Sequence, residues 1–80
     1  MHYVTDAEYL SEYKLKVRFN DKIEKVVDLK EHLDGQVFKP LKDIEYFKQV
    51  WVNYDIDTIV WPNDADFAPE FLWEIGVTVN

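Results

Sequence analysis

The clearest pattern along the chain is an alternation. In Lys14–Phe19 the apolar residues Leu15, Val17 and Phe19 take every second position, and Lys14, Lys16 and Arg18 take the others. Successive side chains of a strand point to opposite faces, so this segment predicts a strand with one buried face and one basic, solvated face. Upstream, Tyr3–Leu10 alternates imperfectly and predicts a first strand. Downstream, Asn20 and Asp21 supply a turn, and Lys22–Asp28 returns as an antiparallel partner.

The period then changes. In DLKEHLDG, Asp28 precedes Glu31 by three residues, as in a capping box, and Gly35 stands where a short helix would stop. This stretch predicts one helical turn, followed by loop through Pro40. Asp43 is a good N-cap for a second helix of about two turns, with Glu45 near its positive end, Lys48 near its negative end and Ile44 and Phe47 as its apolar stripe. Val50–Tyr54 and Thr58–Trp61 carry the β-branched and aromatic residues of strands, and Pro62 ends the second. Pro69 suits a first helical position and Glu70 the first turn; Phe71, Leu72 and Ile75 face inward, and Gly76 terminates. The expectation is an α+β fold in a single domain spanning residues 1–80, with an antiparallel sheet of about four to five strands and two short helices.

One stretch competes with that parse. Asn53–Asp64 reads NYDIDTIVWPND, with side-chain oxygens at its first, third, fifth and twelfth positions, close to the ligand spacing of a calcium-binding EF-hand loop. Such a loop needs a flexible sixth residue, where β-branched Thr58 stands, and a helix running out through its tenth, where Pro62 blocks it. A hairpin with Asp55 and Asp57 at its tip explains the spacing better. A three-residue loop would pair Val52 with Val60 and set Trp51 beside Trp61 on the opposite face. Val50, Val52, Tyr54 and Val60 would then share one face, and Trp51, Asn53, Ile59 and Trp61 the other. Both faces are apolar, so either the two helices cover one each or one face stays partly exposed.

Composition explains how so short a chain folds. With 48% hydrophobic and 16% aromatic residues, among them three Trp, the 80 residues can build a dense core without help. There is no cysteine, hence no disulfide and no thiolate chemistry. MHYVTDAEYL lacks the features of a signal peptide and every apolar run is too short to span a bilayer, so a soluble cytoplasmic domain is expected.

Charge narrows the partners. The net charge is −7, and every Lys and Arg lies between Lys14 and Lys48; after Lys48 the charged residues are Asp55, Asp57, Asp64, Asp66, Glu70 and Glu74. Such a surface disfavours nucleic acid and anionic membranes and favours a basic protein partner or self-association. Lys14, Lys16 and Arg18 offer a nucleic-acid alternative, though a solvated outer strand face explains them better.

Enzymatic constellations are weak. His2 and His32 form no ligand pair, Ser11 lacks a nucleophile elbow, and Gly35 and Gly76 are too far apart for a phosphate-binding loop. Asp64 and Asp66 could serve acid–base chemistry or a metal, so a small-molecule or metal-dependent binding or enzymatic domain is the alternative reading. Carboxylates two apart before a helix are more often solvated caps. No enzyme, cofactor or metal site is expected.

VVDL, then FKPLKD, then TIVWPNDADFAPE and LWE occur in an order that resembles the small bacterial family catalogued as domain of unknown function 2442. The likeness covers nearly the whole chain, and WPNDADFAPE is its most specific piece. That family commonly has Asp–Gly at its first hairpin, whereas Asp21 here precedes Lys22, a residue that avoids positive φ, so a longer or different turn is expected. The resemblance implies a compact α+β domain with no established activity. Similar domains occur fused to a helix-turn-helix or encoded beside a second small protein, in the manner of toxin–antitoxin pairs. The combined expectation is a non-enzymatic interaction or regulatory module, an accessory of such a two-protein system. Its partner would be met by Trp51, Trp61, Asp55, Asp57, Asp64 and Asp66, the tryptophans as anchors and the carboxylates as rim.

Overall fold

A computed structural model describes residues 1–79 and shows an α+β fold. Three strands, β1 (Val4–Ser11), β2 (Lys14–Phe19) and β3 (Glu24–Asp28), form an antiparallel meander. Leu15, Val17 and Phe19 of β2 are buried, as the alternation requires. A fourth strand, β6 (Val77–Thr78), pairs with β3 through Lys25–Thr78 and Val26–Val77, giving the order β1-β2-β3-β6. Two residues are too few to show an alternation, and the sequence gives β6 no signature.

The β2–β3 turn corrects one expectation. Lys22 does adopt positive φ, at 69°. Three residues, Asn20–Lys22, lie between Phe19 and Ile23, with Phe19 N–H donating to Ile23 O at 3.0 Å and Lys22 N–H to Phe19 O at 2.9 Å. The Asp21 carboxylate accepts from Ile23 N–H at 3.1 Å and closes the turn. With the backbone bonded on both sides, the lysine is driven into the left-handed region.

Between β3 and the next regular helix lie two 3₁₀ turns. The first, Lys30–His32, follows Leu29, whose side chain offers no cap, while Asp28 Oδ1 accepts from Lys30 N–H at 3.1 Å. The second, Lys39–Lys42, contains Pro40 and replaces the expected loop; proline suits the first positions of a helical turn, because the N–H it lacks would be unpaired there. α1 (Ile44–Phe47) is capped as predicted by Asp43, whose carboxylate accepts from Glu45 N–H at 3.0 Å. It is one turn long rather than two, since Gln49 and Val50 already lead into β4.

β4 (Trp51–Asn53) and β5 (Thr58–Val60) form a separate two-stranded sheet, so the hairpin is present and strands, not helices, flank its loop. The register differs by one residue from the predicted one: Trp51 pairs with Val60, Val52 with Ile59 and Asn53 with Thr58. The loop has four residues, Tyr54–Asp57, with Asp57 at φ 58°. Because side chains alternate, this single step places Trp51 and Trp61 on opposite faces.

α2 (Pro69–Ile75) starts at Pro69 and packs on β3. Lys25 Nζ donates to Trp73 O at 2.7 Å, a charge-assisted bond at the negative end of the helix, and lies 3.9 Å from the centroid of the Trp73 ring. Trp61, Phe19, Phe47, Leu15, Leu29, Leu33, Leu41, Ile59 and Leu72 are the largest fully buried side chains, and they join into one cluster.

Candidate interaction surface

The β4–β5 hairpin is held by its own backbone. Asn53 O accepts from Ile56 N–H at 3.2 Å and Asp57 N–H at 2.8 Å, and Asn53 Oδ1 accepts from Asp55 N–H at 2.9 Å. One asparagine thus satisfies three donors of the loop, and the loop side chains turn outward. Tyr54 is 69% exposed, Ile56 48% and Trp51 46%. Two bonds fix the hairpin to the meander: Val4 N–H to Asp57 O at 2.9 Å, and the Tyr54 hydroxyl to Thr5 O at 3.1 Å. Large apolar side chains standing in water on an anchored hairpin are the informative kind of exposure.

The six residues singled out from the sequence separate. Trp51, Asp55 and Asp57 belong to the hairpin, with Trp51 and Asp55 exposed and Asp57 partly so. Trp61 is fully buried, its indole N–H donating to Phe47 O at 2.8 Å against the Phe47 and Phe67 rings. It anchors the core, and no part of it reaches the surface. Asp64 lies beyond the opposite end of β5 from Asp55 and Asp57. There Pro62–Asp64 repeats the β2–β3 turn: Asp64 N–H donates to Trp61 O at 2.9 Å, Trp61 N–H to Ala65 O at 3.0 Å, and Asp64 has φ 67°. Asp66 then runs back beside Val60 in an isolated antiparallel bridge. Among the described residues no three His, Asp or Glu side chains are grouped as metal ligands.

The basic face of β2 is matched across the sheet. Lys16 Nζ lies 3.2 Å from Glu8, Arg18 3.1 Å from Glu24, and Lys14 4.0 Å from Glu12. Each cation therefore has a carboxylate neighbour on β1, β3 or the β1–β2 turn, and the ladder presents mixed charge rather than a phosphate track.

Two arrangements carry no signal in the sequence. His2 stacks on Trp73 with ring centroids 3.8 Å apart and 16° from parallel, while its Nδ1 lies 2.9 Å from Glu70 Oε2. Glu70 is thereby held below its ordinary value of 4.5, first by the side-chain hydrogen bond from His2 and then by the His2 backbone N–H. The second is a hollow of about 190 Å³ lined by Tyr13, Lys30, Leu33 and Lys42, between the β1–β2 turn and the two 3₁₀ turns. The Tyr13 hydroxyl donates to Lys42 O and fixes one wall.

A scan against family models matches residues 4–78 to DUF2442, described as a protein of unknown function. The chain belongs to this family. Its matched span opens on the first residue of β1 and closes on the last of β6, so every element of the DUF2442 domain lies within it. The segment that carries the sequence resemblance builds a continuous piece of this DUF2442 core: Trp61, Ala65 and Phe67 are buried and Pro69 opens α2. Neither the curated proteins nor the solved structures compared with the domain gave a match. Among the described residues no helix is long and apolar enough to cross a membrane.

Proposed function

We propose that this domain is a non-enzymatic interaction module whose β4–β5 hairpin docks on a basic protein. One observation carries the reading: Trp51, Tyr54 and Ile56 stand exposed on an anchored hairpin beside Asp55 and Asp57. Aromatic anchors with a charged rim are the usual anatomy of a protein-binding patch. The charge supports it too, because the hairpin itself carries two carboxylates and no Lys or Arg on a chain of net charge −7, so a cationic partner would be steered toward it. A small basic protein encoded beside the domain, as in a two-protein regulatory system, is the partner of choice.

The test is affinity capture from the source cell with the wild-type domain and with Trp51→Ala and Asp55→Asn/Asp57→Asn variants. A basic protein should be retained, released by salt and lost with either variant. An anchor of this kind carries about 2 kcal/mol, roughly thirtyfold in affinity, on truncation. Retention that ignores all three changes, or no retained protein, defeats the proposal.

A further inference from the structure

We infer that the hollow between the β1–β2 turn and the two 3₁₀ turns is a binding site for a small organic anion: a carboxylate on one aromatic ring or a short branched chain. The walls are carbon. They are the Tyr13 ring, the fully buried Leu33 and the aliphatic stems of Lys30 and Lys42. Lysine stems cover apolar surface while their ammonium groups seek water, so an apolar floor is bordered by two cationic side chains.

The charge of both lysines is available. Among the described residues, Lys30 has no carboxylate within 4.0 Å. Lys42 has one, Asp34 at 3.8 Å, and that contact is long and solvent-exposed on both sides. Such surface pairs contribute little, and an incoming carboxylate could take the place of Asp34 at small cost. The charged residues that line the hollow are both lysines, on a chain of net charge −7. The opposite charge on a ligand is what such a lining favours.

Size limits the occupant. A hollow of about 190 Å³ falls below the range of about 300–1,000 Å³ usual for drug-sized ligands, and an apolar cavity of roughly 150 Å³ holds one benzene ring. Nucleotides and long-chain acids are too large to be enclosed in it. A single ring, with its carboxylate at the mouth between Lys30 and Lys42, fits. The walls are held in advance: Tyr13 is tethered to Lys42 O and packs edge-on against Phe47 at 5.4 Å, and Leu29 N–H donates to Tyr13 O at 2.9 Å. Little ordering is left for a ligand to bring about.

Benzoate serves as the probe, with benzyl alcohol as its neutral counterpart, in an amide-shift NMR titration of the full chain. Benzoate should give saturable shifts centred on Tyr13, Lys30, Leu33 and Lys42, with a Kd on the order of 1 mM for so few atoms. Lys30→Gln and Lys42→Gln are surface changes that leave the fold intact, and each should weaken benzoate by about fivefold while leaving benzyl alcohol unchanged. Added salt should weaken benzoate alone. Equal binding of the neutral alcohol would reduce the hollow to an unselective apolar dent, and no saturation by benzoate at about tenfold above the expected Kd would remove the site; either result overturns the inference.

Discussion

A β-carbon built on Gly76 would stand 2.8 Å from the β-carbon of Lys25. It would also lie 2.9 Å from Leu72 O, while Gly76 itself has an ordinary extended backbone at φ −72°, not the left-handed conformation of a typical helix-ending glycine. The glycine is there for space. It lets the chain leaving α2 run against β3, where Lys25 reaches up to Trp73 O. Gly76→Ala should cost about 1–3 kcal/mol, read as a lower urea midpoint at unchanged slope. Adding Lys25→Ala should not restore stability, because the atom that collides is the one alanine keeps.

Lys22→Gly should stabilise the domain by up to about 1 kcal/mol, since a left-handed residue with a side chain costs roughly 1–2 kcal/mol and glycine returns part of that gain through its freer unfolded chain. Asp64→Gly should gain less, because aspartate tolerates that region better. Thermal unfolding of the two variants side by side checks the order; an unchanged or lower melting temperature for Lys22→Gly would contradict it.

Acid should loosen the link between His2 and α2. Glu70 is held below its ordinary 4.5, so its contribution to stability is complete above that value and is lost as the pH falls through the lower folded one. Glu70→Gln should therefore be less stable than wild type at neutral pH, and the gap should shrink below pH 4.5. Urea titrations across the acid range measure this, and a gap that persists undiminished in acid would rule it out.

The tryptophans should behave differently. Iodide should quench Trp51, which is 46% exposed, and spare Trp61. Trp51→Phe should remove most of the quenchable emission and leave stability within about 0.5 kcal/mol. Trp61→Ala should cost about 3–5 kcal/mol by emptying the core and stranding Phe47 O.

β2 is legible to the residue in the sequence because it sits mid-sheet with one face buried, where alternation is enforced. Asp43 and Pro69 are legible for a related reason: a cap and a first-turn proline act locally, whatever packs above them. The register of the β4–β5 hairpin is not, because its left-handed residue is Asp57 and no glycine marks the loop length. That single hidden step sends Trp61 inward and leaves Trp51, Tyr54 and Ile56 outside. The hollow is equally silent: Tyr13, Lys30, Leu33 and Lys42 share no period and come together only when two 3₁₀ turns fold back on the β1–β2 turn. Gly76 is read correctly as the end of α2 and incorrectly in its reason, because a close approach to Lys25 is a tertiary fact.

The late position of α2 bears on how the chain is made. β1, β2 and β3 emerge from the ribosome first, and Phe19 then waits for Trp73 to pack edge-on against it and β3 for β6 to dock on its free edge. Until then the sheet has an open rim along β3 and an uncovered ring at Phe19, the kind of intermediate that chaperones hold. A stalled or truncated chain ending before Pro69 would keep that rim open and should clump, whereas Ala68–Thr78 supplied in trans as a peptide should be able to close it.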